Sequence, residues 1–515
     1  MTKSWKHGRA QERINKRFDE VKDVSIVDYK RDMSLESIPT NKAYRLDGVH
    51  LYVDILNLSD MLNVTRDETE TTHKRTLRFL NLHYRAVHRI LKDCDVIRVD
   101  FHNQRLHAVV AKPYNTEDGA EGKRVRRAVA IGQLIKDVLA ETGDDDQQIP
   151  NAKVRIGVDT GIALAVNNGR RAGREPLFLG HPANFAAKLA GGGTAEGIYI
   201  SNAARTAVGW KIIDEDAQKR TALTKAEVEE CQNSAKLETD KDKIVKAWRQ
   251  DLKDNPIGSF SFSGHTPPLR TLQVVDLTPA NSRRQDVVSV YGDIAGFTPY
   301  VKRNIDDDPE DVVRVFHVIR AELDHVVTDD FDGRRIRFVG DCIHGLLCGG
   351  TAQTTDKPST VSTSTLCAGG MRSSFDLAIK TLKDKSINVD GLGLAVGFDL
   401  GPTATTRLGM QGDRVRCSVS RGVLQSEAEQ DRCDGTQTAI GKAAYDAGTD
   451  AVRNLFGANR IVADLDYNEA VEGLAESGDS VAKAARDEAF AAVKAPAVAR
   501  TADTLVRPYA EPHGD

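Results

Sequence analysis

Apolar positions along the chain fall into two alternating rhythms. Val49-His-Leu-Tyr-Val-Asp54-Ile-Leu reads as a strand from its β-branched and aromatic content, and a polar break follows it. Across 72–92 the apolar residues Leu77, Leu80, Leu82, Val87, Ile90 and Leu91 recur at helical intervals. Residues 95–110 then predict two strands around the polar Asp100-Phe-His-Asn-Gln104, residues 124–142 a second helix, and Lys153-Val-Arg-Ile-Gly-Val158 a further strand. Strand, helix, hairpin, helix, strand is the order of a ferredoxin-like α/β sandwich.

The same order returns after Gln285, with a strand at Val288, a helix over 309–327, a hairpin over 334–348, a helix over 368–382 and the strand Gly393-Leu-Ala-Val-Gly-Phe398. Asp54 and Asp293 lie 239 residues apart, as do Ile97-Arg98 and Ile336-Arg337; Gly157-Val-Asp-Thr-Gly161 and Gly397-Phe-Asp-Leu-Gly401 lie 240 apart. Landmarks in one register predict two copies of one domain, at 46–205 and 285–445. The first follows a polar segment, 1–45, with an amphipathic helix over 10–22. Between the copies 206–284 forms a linker whose heavily charged part, 219–255, reads as a solvated helical connector. An Ala-rich extension, 446–515, carries helices to about 493 and a frayed end over 495–515.

Chemistry enters with Val288-Ser-Val-Tyr-Gly-Asp293-Ile-Ala-Gly-Phe-Thr298. A strand ends on a carboxylate, Gly296 lets the backbone approach a ligand, and Thr298 is placed to cap a helix whose N–H groups face an anion. Arg335-Ile-Arg337-Phe-Val-Gly340-Asp341 puts a second carboxylate at a hairpin tip. Two acids at adjacent strand ends suit a pair of divalent ions holding phosphates; an ordinary strand-to-helix corner beside a Gly-Asp turn is the other reading. Composition narrows the field. The 515 residues carry 40% hydrophobic and 28% charged side chains and a formal charge of −4, which gives no basis for nonspecific binding to nucleic acid or anionic membrane. No apolar run approaches membrane-spanning length and the N-terminal residues hold no signal core. Seven scattered cysteines make neither a zinc spacing nor a disulfide framework, so a reducing cytoplasm is expected.

Val290-Tyr-Gly-Asp293-Ile-Ala-Gly-Phe-Thr298, Arg337-Phe-Val-Gly-Asp341 and Val396-Gly-Phe-Asp-Leu-Gly-Pro402 resemble three successive signatures of the class III nucleotide cyclases. The resemblance implies two tandem ferredoxin-like cyclase domains in a head-to-tail pseudo-dimer, with metal aspartates from one copy and base-reading and transition-state residues from the other. Asp293 and Asp341 match the metal pair and the Ile294 carbonyl a further ligand; Gly296, Phe297 and Thr298 follow as substrate contacts. The first copy keeps Asp54 but has no acid in Phe101-His102-Asn103-Gln104. It does carry Gly180-His-Pro-Ala-Asn184-Phe-Ala-Ala-Lys188, similar to the family's Gly-x-x-x-Asn-x-x-x-Arg with Lys for Arg. The second copy's Gly412-Asp-Arg-Val-Arg416-Cys-Ser-Val-Ser420 is matched to it and lacks the Asn; this matching leaves eight residues at 166–173 without a counterpart. Arg98 matches the family's hairpin Lys and Leu177 its base reader, while Arg414 and Arg416 are assigned to the triphosphate.

One complete site and one degenerate site are therefore expected, using two Mn²⁺ or Mg²⁺ ions. From Met33-Ser-Leu-Glu-Ser-Ile-Pro through His83-Tyr-Arg-Ala-Val to Asp466-Tyr-Asn-Glu-Ala the chain is also similar to the longer bacterial pyrimidine cyclases of the Pycsar anti-phage system, cytidylate type. That implies CTP as substrate, cyclic CMP as a messenger to a separate effector, and UTP as the alternative. Pairing between chains stays open beside pairing within one, and from another class a catalytically inactive cyclase-like scaffold is the competing reading.

Overall fold

The computed structural model describes residues 3–30, 33–35, 37–114, 117–145, 148–168 and 176–494. The expected frayed end, 495–515, and most of the segment 166–173 lie outside them. Each copy opens on a long central strand. The first runs β2 (Lys42–Ile55), α2 (Leu58–Leu62), α3 (Glu70–Asp93), β3 (Ile97–His102), β4 (Arg105–Val110) and α4 (Ala120–Leu139). It closes with β5 (Val154–Asn167), β6 (Pro176–Leu179), α5 (His181–Ala190), β7 (Gly197–Ile200) and α6 (Asn202–Ala207). The second runs β9 (Ser282–Ala295), α9 (Phe297–Asn304), α10 (Pro309–His325), β10 (Arg334–Val339), β11 (Cys342–Leu347) and α11 (Lys357–Asp384). It closes with β12 (Gly393–Leu408), β13 (Val415–Val419), α12 (Arg421–Asp431), β14 (Gln437–Ile440), α13 (Lys442–Ala447), α14 (Asp450–Phe456) and β15 (Ile461–Ala463).

Among the described residues the strands form two sheets. The first has the order β3-β4-β2-β5-β6, with β7 on β5 and the short β1 (Ser25–Asp28) parallel to β2; the second has β10-β11-β9-β12-β14-β15, with β13 on β12 and the two-residue β8 (Phe262–Ser263) parallel to β9. Strand order and the sandwich of helices over sheet agree with the tandem ferredoxin-like expectation.

The copies are joined by exchanged arms. Leu164, Val166, Leu177 and Leu179 of the β5–β6 arm are buried in the cluster that includes Ile294, Phe297, Phe316 and Phe338 of the second copy. Reciprocally, Ala404, Leu408, Val415, Cys417 and Val419 of the β12–β13 arm are buried with Leu77, Tyr84 and Phe101 of the first. Burying a Leu or Val side chain contributes about 1.5–3 kcal/mol, so each core is completed by the other copy. The N-terminal segment adds a strap: α1 (His7–Val21) precedes the first copy yet packs on α10 and α11 of the second. There Arg13 pairs with the buried Asp330 at 2.8 Å and hydrogen-bonds the buried Glu322 at 3.0 Å.

Strand pairing corrects the internal alignment in two places. Asp100, His107 and Tyr52 are cross-strand neighbours in the first copy; Arg337, His344 and Tyr291 are the same neighbours in the second. Both hairpins bulge at the matching point, between Arg98 and Asp100 and between Arg335 and Arg337, and both turn through a positive-φ residue, Asn103 (φ 45°) and Gly340 (φ 61°). The hairpins are thus offset by 237 residues rather than 239, so Arg98 corresponds to Arg335, Arg337 to Asp100, and Asp341 to Gln104. In the arms, Leu164 pairs with Leu179 and Ala404 with Val419, fifteen residues apart in each case. The arms therefore have equal length, and the expected eight-residue excess over 166–173 does not exist. Gly412–Ser420 is not the counterpart of the Asn184 segment; it contains strand β13, and the helix matching α5 is α12, which starts after the capping Ser420.

The linker expectation also changes. Its helices α7 (Lys225–Ala235) and α8 (Lys241–Asp254) bury Val228, Cys231, Ile244, Val245 and Trp248 against the first copy, and the Trp248 indole donates to the Leu82 carbonyl at 3.1 Å. The charged residues cover the outer faces, and at the edges Glu227 and Asp251 pair with Arg205 and Arg89 of the first copy at 3.4 and 3.7 Å. In the second copy α15 (Tyr467–Glu476) and α16 (Ser480–Lys494) pack on α11 in the corresponding way. No helix among the described residues is long and apolar enough to cross a membrane.

Candidate active site

Asp293 stands near the end of β9, directly before the turn into α9. Gly296 makes that turn at φ 78°, and a Cβ there would come within 2.1 Å of the Gly391 carbonyl oxygen, so a side chain is barred. Gly296, not Thr298, occupies the helix cap, and α9 has no side-chain cap. The Thr298 hydroxyl is instead used across the copies, accepting a hydrogen bond from the Asn184 amide at 2.8 Å. Asn184 and Lys188 are one helical turn apart on α5 and share a face.

These residues meet in one cleft of about 530 Å³. Asn184 and Lys188 line it from the first copy; Asp293, Ile294, Gly296, Phe297, Thr298 and Asp341 line it from the second. Asp341 follows Gly340 in the tight β10–β11 turn, and β11 pairs with β9, so the two carboxylates sit at adjacent strand ends. Burial holds Asp293 well above the usual carboxylate range, and the neighbouring Asp341 charge adds to the shift. Burial pushes Asp341 up to about 6, while Lys188 draws both acids back down. Two acids that resist ionising together are relieved by a divalent cation. Among the described residues no cluster of three or more His, Cys, Asp or Glu could hold a metal. A cation bound by these two carboxylates and the Ile294 carbonyl would thus take its remaining ligands from phosphate and water, as Mg²⁺ commonly does. The residues fit the group.

Four expected contacts lie elsewhere. Arg98 is not among the residues lining the cleft; its guanidinium faces the second copy's Asp413, 3.7 Å from the carboxylate and 3.2 Å from the carbonyl. The stretch from central strand to hairpin is two residues shorter in the second copy, so its counterpart is Arg335 rather than Arg337. Leu177 is buried in the arm core with Ile294 and Phe297. Arg414 and Arg416 belong to the β12–β13 arm, where the Arg414 carbonyl accepts from Arg407 at 3.1 Å and Arg416 donates to the Ile336 carbonyl at 3.1 Å. Sequence reading in turn missed Tyr52, Arg105 and Lys219, all of which line the cleft. Tyr52 had a signal, since it sits two residues before Asp54 on the same strand face; Lys219 was hidden in the charged linker.

The second pseudo-site is closed to the same chemistry. Asp54 survives, but Gln104 stands where Asp341 would be, and Leu424 and Ala428 stand for Asn184 and Lys188. Arg105, cross-strand neighbour of Asp54, pairs with Glu427 of α12 at 2.7 Å. Burial raises Asp54 to about 6, with Arg105 opposing the shift.

No family model matches the chain. It is 58% identical over 509 residues to a uridylate cyclase from Pseudomonas aeruginosa, spanning 99% of this chain and 98% of the relative. It is 39% identical over 442 residues to a uridylate cyclase from a Rhizobium species, spanning 83% of each. Among solved structures, a class III adenylyl cyclase-like ATP-binding protein from Pseudomonas aeruginosa superposes with a TM-score of 0.90 at 59% identity, covering 92% of this chain and all of that one. With the paired aspartates and the Asn-containing helix already in one cleft, these relationships place the chain in the class III pyrimidine nucleotide cyclases.

Proposed function

We propose that the chain is a uridylate cyclase, converting UTP to 3′,5′-cyclic UMP and pyrophosphate in the single complete cleft. The CTP reading drawn from sequence gives way to its alternative because both curated relatives are named for uridylate. The observation that carries the reading is the Asn184–Thr298 hydrogen bond, which ties the transition-state helix of the first copy to the metal loop of the second.

When bound by Asp293, Asp341 and the Ile294 carbonyl, two divalent ions would lower the pKa of the attacking hydroxyl and neutralise the triphosphate. The remaining chemistry belongs to the chain. Asn184, its amide fixed by Thr298, orients the ribose so that the 3′-oxygen stands in line with the α-phosphorus. The 3′-oxygen forms the new bond to phosphorus as its proton leaves to solvent; the bond from the α-phosphorus to the bridging oxygen breaks, and pyrophosphate departs. Lys188, exposed above both acids, stabilises charge developing on the α-phosphate through one ammonium rather than a two-pronged guanidinium. Lys219 meets the triphosphate at the cleft mouth. Tyr52, its ring stacked on His107 at 4.0 Å, lines the same cleft and offers an aromatic surface on which the base can pack. The likeness to anti-phage pyrimidine cyclases supports a messenger role for the product.

The test is incubation of purified protein with each of the four ribonucleoside triphosphates and Mn²⁺ or Mg²⁺, followed by mass identification of the product. Cyclic UMP should dominate. Cyclic CMP as the main product would restore the CTP reading, and no cyclic product under any condition would return the inactive scaffold.

A further inference from the structure

In a two-fold pair, residues at equivalent positions near the axis face one another. The hairpins supply such a position. Tyr52, His107 and Asp100 are neighbours across three strands of the first copy, as are Tyr291, His344 and Arg337 in the second. Both Tyr–His pairs stack, at 4.0 Å and 4.4 Å between ring centres. Only the third member differs in kind, acid against base, and these two meet. The Arg337 guanidinium lies 2.7 Å from the Asp100 carboxylate, with side chains only 6% and 17% exposed, and it also donates to the Phe101 carbonyl of the first copy.

We infer that Arg337 and Asp100 are positioning residues, keying the hairpin that carries Asp341 to the copy that carries Asn184 and Lys188. Arg337 is four residues before Asp341 on that hairpin, and its contacts with Asp100 and the Phe101 carbonyl reach into the first copy. The metal carboxylate therefore takes its place partly from the copy that supplies the transition-state helix. Pairing of like copies would set Asp100 against Asp100 or Arg337 against Arg337 at a largely buried point, where an uncompensated charge is costly. A second contact works in the same sense: Arg105 pairs with Glu427, whereas the equivalent positions hold Cys342 and Ala187. Only unlike copies offer both ion pairs.

The inference rests on the cyclase reading, and the experiment separates the two. Full-length Asp100→Arg, Arg337→Asp and the double swap are compared with wild type for UTP turnover, Mn²⁺ half-saturation and melting temperature. Each single change should lower kcat by about 10²-fold, the usual cost of a misplaced reacting group, and raise the Mn²⁺ requirement. The swap, which re-forms the ion pair in reverse, should recover most of both. Arg337→Lys keeps the charge and should lie between wild type and Arg337→Asp. Single variants with wild-type turnover would overturn the inference. So would a swap no better than the singles while melting like wild type. If wild type itself forms no cyclic product, the cyclase reading fails, and recovery of melting temperature in the swap still decides whether the pair keys the two copies.

Discussion

Within the cleft, the Asn184 amide is the group whose geometry is most fully specified, since its partner Thr298 comes from the opposite copy. Asn184→Ala should lower kcat by about 10²–10³-fold, the range for a lost transition-state donor; Thr298→Val, which leaves the amide present but unheld, should cost less. Steady-state kinetics with UTP checks both. The carboxylates predict a pH effect of definite sign. An unfolded Asp titrates near 4, whereas burial moves Asp341 to about 6 and holds Asp293 well above the usual carboxylate range in the folded chain. The folded state then holds protons more tightly, so metal-free stability should fall as pH rises from about 4 through 6. Melting in chelator at pH 5 and pH 8 should show that loss in wild type and a smaller one in Asp341→Asn. Added Mn²⁺ at pH 8 should raise wild type by a few degrees and Asp341→Asn by less. The residues legible in the sequence were those lying within contiguous motifs: Asp293 to Thr298, Asp341, Asn184 and Lys188. The Arg98 match rested on a spacing that slips by two residues between central strand and hairpin, which the repeated Ile-Arg pair conceals, and the Arg414 and Arg416 matches aligned a strand with a helix.

At the scale of elements, charge content misled where packing decides. The segment 219–255 reads as solvated in sequence, yet Ile244, Val245 and Trp248 form the inner face of α8 and leave Lys and Asp outside. Helical spacing held the answer, since three to four residues separate Ile244 or Val245 from Trp248. The strap α1 was legible as an amphipathic helix, but its destination was not, because nothing local says that it crosses to the second copy. Arg13 fixes that destination. Glu322 is raised by burial and Asp330 is fully covered, and Arg13 contacts both. Arg13→Ala takes the guanidinium from the buried Glu322 and leaves Asp330 with the more exposed Arg9, 2.7 Å away, and should destabilise the protein by about 3–5 kcal/mol. Denaturant unfolding of the full chain measures it. A loss below about 1 kcal/mol would mean that water reaches the acids and that the strap contributes little.

For the whole molecule, two like copies with complementary residue sets leave one cleft assembled from two halves. The repeat itself was legible from three landmarks, although only strand pairing corrected two of its offsets. Asp54 and Asp293 are equivalent in place and unequal in surroundings: Asp293 has Asp341, Asn184 and Lys188 about it, whereas Asp54 has Gln104, Leu424 and Ala428 in the corresponding positions and Arg105 beside it. Asp293→Ala should therefore abolish turnover and Asp54→Ala leave most of it. The exchanged arms and the α1 strap further predict that each chain completes its own site. A tethered partner acts at an effective concentration on the order of mM, far above micromolar protein. An Asp293→Ala chain and an Asn184→Ala chain each lack one half of the site and retain the other. If copies paired between chains, mixing the two would reunite an intact Asp293 with an intact Asn184 and restore cyclic UMP formation. Pairing within chains predicts no recovery at micromolar concentration, even after prolonged mixing. Recovery approaching a quarter or more of wild-type turnover would show that the arms exchange between molecules, and the active unit would then be a dimer of chains.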